Sequence, residues 1–158
     1  MIDDKDLELL SILETDSRTP WRRIAHLMGL SEATIYLRVK KLVTTGVIEG
    51  FGVKIKPDKL GLRAVMFVLI KCEAGKLRRL KKELAGKPYI LELHEVTGDY
   101  HLLAKIAAPT HDKAAEIVDE IASMKGVVGI STIMSLSSIK TSASFVDALR
   151  YWRARGHT

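Results

Sequence analysis

Residues 18–50, RTPWRRIAHLMGLSEATIYLRVKKLVTTGVIEG, decide how this chain is organised. A first helix is expected after Pro20, because proline suits a first helical turn, where its missing N–H would be unpaired anyway. Ile24, Ala25 and Met28 share one face of it. Gly29 permits a tight left-handed turn, and Leu30 fills the space between two helices. Ser31 is a good N-cap for a second helix, since its hydroxyl can accept from a free N–H of the first turn. Ile35, Val39, Leu42 and Val43 then form an apolar stripe at helical spacing. A small residue, a glycine four positions on and a capped helix make a helix-turn-helix pattern.

The outward face of the second helix carries the chemistry. Ala33, Leu37, Lys40 and Thr44 stand opposite the stripe, flanked by Thr34, Tyr36, Arg38 and Lys41. Basic side chains suit phosphates, while small, hydroxyl and aromatic groups suit base edges in a major groove. The candidate DNA-contacting set is Arg22, Arg23, Ser31, Glu32, Ala33, Thr34, Tyr36, Leu37, Arg38, Lys40 and Lys41. Residues 31–34 would point deepest into the groove. A solvated two-helix corner of an ordinary domain would give the same basic face, so the motif needs its context.

Composition supplies some of that context. The chain has 158 residues, 47% of them hydrophobic, and a formal net charge of +6. That length allows one or two small domains with a buried core. Charge is unevenly spread: residues 1–16 hold six acids and one base, whereas residues 17–59 hold nine bases and three acids. The positive charge thus falls on the helix-turn-helix and the segment after it, which suits an acidic partner. A single cysteine, Cys72, sits in an apolar run and reads as a buried small hydrophobe. One thiol allows no intrachain disulfide, which fits a reducing compartment. With no signal peptide and no long apolar span, a soluble cytoplasmic protein with no membrane contact is expected.

Taken in order, residues 3–14 read as a helix whose acidic start favours the positive end of the helix dipole, with Leu7, Leu9, Leu10, Ile12 and Leu13 as a wide apolar face. It would complete a three-helix domain over residues 1–50. Gly46 is expected to end the recognition helix. Residues 47–55 alternate loosely and read as an extended strand, paired either in a wing hairpin or with the same strand of a second subunit. Residues 51–62 form the linker, with the boundary at 57–61. The period then changes. Residues 64–72 (AVMFVLIKC) read as a central strand, 76–85 as a helix with Leu77, Leu80 and Leu84 inward, and 90–96 as a strand. A Thr97-Gly98-Asp99 turn follows, then a strand at 100–107 and a helix at 109–125 striped by Ala114, Ile117, Val118 and Ile121. Gly126 stops that helix, and 127–139 reads as a long last strand. The order β-α-β-β-α-β over 63–141 gives a ferredoxin-like antiparallel sheet with two helices on one face. The fold class is therefore α+β. The other face, for example Val68, Leu103 and Ile130, stays apolar in places, so the sheet should dimerise. Residues 142–158 form a tail in which 143–155 suggest a C-terminal helix, with Phe145, Val146, Leu149 and Trp152 on an apolar face. It reads as a docking helix at a subunit contact rather than a phosphate-binding element.

These segments resemble the Lrp/AsnC (leucine-responsive/asparagine-regulator, or feast/famine) family of transcription regulators. The resemblance rests on IDDKDLELLSIL at the start, the helix-turn-helix with its GVIEGF exit, PDKLGL, VTGDYHLLAK and GVVGISTIMSL. It implies an N-terminal winged-helix-type DNA-binding domain and a C-terminal sandwich for amino-acid regulation. It also implies dimers that assemble further, often to octamers, with effectors bound between dimers. Carried over by position, Thr97, Gly98, Asp99 and Tyr100 match the family's effector turn, with His101 next to them. Thr132, Ile133, Met134 and Ser135 match the strand lining the pocket from the other side. Backbone N–H groups of such a turn can hold a carboxylate, and an aspartate can accept an ammonium. His101 stands where the family commonly has a second aspartate, and it cannot supply the same fixed charge. It is either satisfied at a subunit contact or a source of pH sensitivity.

Two other functions compete. Sirohaem decarboxylases resemble this family in fold, and an enzyme of that kind would gather histidines around a tetrapyrrole. Here His26, His94, His101, His111 and His157 are scattered, without metal-ligand spacing, nucleophile triad or phosphate loop. No metal, cofactor or catalysis is expected. A stand-alone amino-acid sensor, using the helix-turn-helix only for assembly, fits the basic recognition helix poorly. The expected protein is a homo-oligomeric regulator that binds double-stranded DNA under the control of a small amino-acid effector.

Overall fold

The computed structural model describes residues 2–141 and 144–156. The chain forms two compact units, Met1–Lys54 with Lys140–Thr158, and Ile55–Ile139.

The first unit is built on three helices: α1 (Asp4–Thr15), α2 (Trp21–Met28) and α3 (Glu32–Thr44). A reciprocal capping box starts α1, with the Asp6 N–H donating to Asp3 Oδ1 (2.7 Å) and the Asp3 N–H to Asp6 Oδ2 (3.2 Å). Gly29 ends α2 at φ 63°, a left-handed conformation that costs glycine little. The Ser31 hydroxyl accepts from the Thr34 N–H (3.1 Å) and opens α3. Leu9, Leu13, Ile24, Ala25, Met28, Ile35, Val39 and Leu42 form one core, against which Leu30 and Ile48 pack. Val43 is not part of it: it is exposed. One residue is a 100° step round a helix, and that step carries Val43 off the face on which Leu42 is buried.

A sixth helix, α6 (Phe145–Arg153), belongs to this unit. Its cap Ser144 donates through its hydroxyl to Glu14 Oε2 (2.7 Å), and the Phe145 N–H donates to Glu14 Oε1 (2.9 Å). Val146 and Leu149, three residues apart, turn inward, whereas Phe145 and Trp152 are exposed. The expected four-residue apolar face is thus two residues wide. Ala143, where this helix was expected to begin, lies outside the described residues.

No strand forms at residues 47–55. Among the described residues, no backbone group of 49–55 takes part in a backbone hydrogen bond. A strand exists only as one side of a ladder, and this segment meets no second side within the chain, so neither the extended linker strand nor a wing hairpin is seen. Pro57–Leu60 is a single 3₁₀ turn.

The second unit contains β1 (Ala64–Cys72), α4 (Leu77–Ala85), β2 (Ile90–Glu95), β3 (Leu102–Ala108), α5 (His111–Ala122) and β4 (Val127–Met134). Its sheet has the order β2-β3-β1-β4 with every pair antiparallel. Alternate residues of β1, namely Ala64, Met66, Val68, Ile70 and Cys72, are buried with Leu80, Leu84, Ala114 and Ile121 of α4 and α5. Val68 and Ile130 therefore lie in the core beneath the helices. The open face instead carries Phe67 and Leu69, paired with Lys105 and Leu103 on β3 and with Ile133 and Ser131 on β4. Of the three residues expected there, only Leu103 lies on it. Burial pushes the Cys72 thiol up.

Two strand ends fall short of the sequence reading for one reason: a strand stops where its partner stops. The Ser135 N–H donates to the Val65 carbonyl (3.0 Å), and β1 starts at Ala64, so nothing remains for 136–139 to pair with. Leu136 and Ile139 are accordingly exposed. At the start of β3, the His101 carbonyl accepts from the Val96 N–H (3.0 Å), which closes the turn and delays the strand to Leu102.

Candidate nucleic-acid interface and effector turn

On α3 the inward stripe leaves Glu32, Ala33, Tyr36, Leu37 and Lys40 exposed, with Thr34 half-buried, and Arg22 and Arg23 are exposed at the start of α2. The Ser31 and Thr34 hydroxyls lie 2.8 Å apart, so one of them donates to the other. Tyr36 and Leu37 are 45% and 62% exposed, so two large side chains on this face are open to a partner. Tyr36 is held by Trp21, whose ring centroid lies 5.2 Å away at an interplanar angle of 47°. Trp21 was not among the expected DNA-facing residues, although it stands at the first position of α2, directly before the two arginines.

Arg38 and Lys41 are placed differently. Arg38 Nη1 donates to Asp3 Oδ1 (2.9 Å) and Oδ2 (2.8 Å) and to Asp6 Oδ1 (2.7 Å). Lys41 Nζ donates to Asp6 Oδ2 (2.7 Å). The Asp6 side chain is fully buried, while those of Arg38 and Lys41 are 24% and 41% exposed. Burial pushes the Asp6 carboxyl up, but hydrogen bonds from Lys41, Arg38 and the Asp3 N–H outweigh it and hold it below the usual carboxylate range. The Arg38 hydrogen bond likewise lowers Asp3, and the two carboxylates keep the guanidinium protonated. These two bases therefore tie α3 to α1. Acids and bases that neutralise one another 32 to 35 residues apart leave the free positive charge on Arg22, Arg23 and Lys40.

In the second unit Thr97, Gly98 and Asp99 form an exposed bend, and Gly98 has φ 120°. Tyr100 and His101 are half-buried behind it. His101 is satisfied within its own chain: its Nδ1 accepts from the Cys72 N–H (2.9 Å), and its own N–H donates to the Ile70 carbonyl (3.0 Å). The turn is thus pinned to the end of β1. Thr132, Ile133 and Met134 pair with Val68, Phe67 and Met66, and Ser135 with Val65, all in the first half of β1. From Ile70 to Met66 is four residues of strand, about 13 Å. Thr132 thus stands two residues along β1 from the Ile70 contact of His101 and Met134 four, so the 132–135 segment runs away from the turn. His94 lies on β2 opposite Leu103, its Nε2 3.6 Å from a Glu92 carboxylate oxygen, and does not meet His101. Among the described residues, no three His, Cys, Asp or Glu side chains gather as metal ligands, and no helix is long and apolar enough to cross a membrane. His157 lies outside the described residues.

A capped helix-turn-helix is thus followed by a βαββαβ unit. Residues 2–43 match the AsnC-type helix-turn-helix domain and residues 65–145 the Lrp/AsnC ligand binding domain. The chain belongs to the Lrp/AsnC family. It is 36% identical over 136 residues to the HTH-type transcriptional regulator FL11 of Pyrococcus furiosus, covering 86% of this chain and 90% of that one. To the regulator LrpA of Pyrococcus abyssi it is 33% identical over 141 residues, 89% of this chain and all of the other. In fold it matches Escherichia coli AsnC with a TM-score of 0.85 at 23% identity, covering 91% of this chain and 98% of that one. It also matches a Neisseria meningitidis transcriptional regulator in complex with L-Met, with a TM-score of 0.85 at 20% identity, covering 92% and 96%.

Proposed function

We propose that this protein is a sequence-specific transcription regulator that binds double-stranded DNA as a homo-oligomer. The observation that carries this is the outward face of α3, where Glu32, Ala33, Tyr36, Leu37 and Lys40 are exposed after the Ser31 cap, with Thr34 half-buried among them and Arg22 and Arg23 exposed at the start of α2. The α3 side chains read bases in the major groove, the bases of α2 and Lys40 hold phosphates, and Arg38 and Lys41 fix the helix that does the reading. Its relatives are named transcriptional regulators, which favours this role over the tetrapyrrole enzyme and the stand-alone sensor. Such a protein works in the cytoplasm, beside the DNA.

Assembly rests on two surfaces: the open sheet face around Phe67, Leu69, Leu103 and Ile133, and the unpaired segment 49–55. The apolar face is costly to leave in water, and the unpaired segment is an open edge that a second extended segment can pair with. The effector site is divided in the same sense. The Thr97–Tyr100 turn of one subunit and the Thr132–Ser135 segment of another would enclose a small amino-acid-like ligand. The L-Met complex of a structural neighbour supports a ligand of that class. His101 Nδ1 is taken up by the Cys72 N–H and offers no fixed anion where the family commonly has an aspartate, so the preferred ligand carries less positive charge at that end. Selection of bound duplexes from a random pool tests the reading: an enriched, roughly palindromic site is expected, and a pool that stays random at every round overturns it.

A further inference from the structure

Helices α4 and α5 cover the same face of the sheet, yet they carry opposite charge. Of the nine residues of α4 (LRRLKKELA), four are basic and one is acidic; of the twelve of α5 (HDKAAEIVDEIA), four are acidic and one is a lysine. The packing of α4 is complete without its bases. Leu80 and Leu84 are fully buried and Leu77 packs against the same core, which seats one side of the helix. The other side presents Arg78, Arg79 and Lys82, all exposed, around one open hollow that Gly75 and Glu83 complete. These three bases span a helical rise of about 6 Å. The neighbouring lysines are matched by acids: Lys81 Nζ reaches Glu95 (2.6 Å) and Lys87 Nζ reaches Glu120 on α5 (2.7 Å). Arg79 has only the exposed Glu83, 3.8 Å away, a pair that contributes little in water. Arg78 and Lys82 meet no acid among the described residues. Lys76, packed against Gly126, and the exposed Lys125 add two bases near the start of the helix against one acid, the exposed Glu73.

We propose that this face of α4 is a second, sequence-independent DNA contact, which holds the phosphates of the duplex flanking the site that α3 reads. The chemistry selects a phosphate backbone. Arg78 and Arg79 offer two planar guanidinium forks and Lys82 one ammonium, with no hydroxyl or aromatic side chain among them to suit a base edge. A row of charges on an open surface suits a polyanion, whereas a small anion is held in an enclosed pocket. The occupant is duplex DNA because the same chain already holds one: a duplex bound through α3 is tethered at high effective concentration to the other surfaces of the molecule. The four acids of α5 repel the same backbone, so the duplex is confined to the α4 side of the helical layer. Helix α4 lies within residues 65–145, which match a ligand binding domain, so this contact gives that domain a second role. The inference rests on the DNA-binding reading above and extends it to DNA beyond the recognised site.

Salt-dependent binding to two duplexes tests it in the full-length protein, with light scattering on the same samples. One duplex ends at the selected site; the other carries flanks of about 30 base pairs, about 100 Å, on each side. Each phosphate-bound cation steepens the slope of log K against log salt by about 0.9, so one engaged α4 face adds about 2–3. On the long duplex the slope of Arg78/Arg79/Lys82→Gln should be shallower than that of the wild type by at least this amount, and on the short duplex the two should agree. Arg78/Arg79→Lys should keep the wild-type slope on both, since an ammonium also holds a phosphate. All three side chains are exposed, so the melting temperature should not move. Equal slopes on the long duplex overturn the contact. Equal flattening on both lengths overturns it too, because net charge alone has that effect. A variant that loses assembly mass but keeps the long-duplex slope assigns the face to the acidic α5 of another copy and overturns the DNA contact. Failure of the wild type to bind either duplex overturns the regulator reading together with this one.

Discussion

Replacing Asp6 with asparagine removes the one buried charge among the described residues and tests whether the recognition helix is held in place by α1. Asp6 is fully buried and accepts from Arg38 (2.7 Å), Lys41 (2.7 Å) and the Asp3 N–H (3.2 Å). Breaking a buried ion pair from one side costs about 3–5 kcal/mol, because the partner is left unpaired. Here Lys41 and Arg38 keep 41% and 24% of their surface and can turn partly to water, and an asparagine oxygen still accepts one bond. The lower end, about 3 kcal/mol, is therefore expected. For a unit of this size each kcal/mol shifts the midpoint by about 4–8 °C, so its melting should fall by about 12–24 °C. Denaturant titration and thermal melting followed by Trp21 fluorescence, in a Trp152→Phe background, report on this unit. A double-mutant cycle with Arg38→Gln should recover a coupling of about 1–3 kcal/mol. A loss under about 1 kcal/mol, with no coupling to Arg38, would refute the argument and make Arg38 available to phosphates after all.

The same cluster sets an acid dependence. Asp3 and Asp6 are both held below their ordinary pKa in the folded state, so their stabilisation is present above the unfolded value, about pH 3.9, and is lost as pH falls through the folded values. Denaturation midpoints of the first unit should be level between about pH 7 and 5 and fall steeply below about 4, with a shallower fall in Asp6→Asn; identical slopes would remove these carboxylates from the account. Trp21→Ala frees the Tyr36 ring and should cost about 0.5–1.5 kcal/mol of stability, the worth of such a ring pair, while DNA affinity falls severalfold; unchanged affinity on a selected duplex would make the pair incidental to binding. Asp99→Ala should abolish the response of DNA binding to amino acids and leave DNA affinity alone, as calorimetry and fluorescence anisotropy would report; equal loss of both would mean that Asp99 is structural.

The helices of the first unit were legible to within a residue or so because their signals are local. The acidic start of α1, the Ser31 cap, the Gly29 turn and the Ile35-Val39-Leu42 stripe all act within a few positions of where they stand. What failed was what depends on a distant partner. The end of β4 is set by where β1 begins, the phase of Val68 by which side α4 and α5 cover, and the 47–55 strand by a ladder partner that the chain lacks. Arg38 and Lys41 look like phosphate ligands by position, and their ion pairs to the acids of a helix 32 to 35 residues earlier were not legible there. The six acids of residues 1–16 were the available signal: such a cluster next to a basic helix asks where its counter-charges lie. Trp21 was likewise visible as an aromatic at the first position of α2, where core packing gives it no reason to be.

The salt dependence of DNA binding tests the central claim most directly, comparing the wild type with an Arg22/Arg23/Lys40→Ala variant and with Lys41→Ala on one selected duplex. Removing one phosphate-bound cation should flatten the slope of log K against log salt by about 0.9. The account predicts a slope shallower by about 2–3 in the triple variant and nearly unchanged in Lys41→Ala, whose charge is already matched by Asp6. Equal slopes in the triple variant and the wild type would contradict the assignment of this face to DNA.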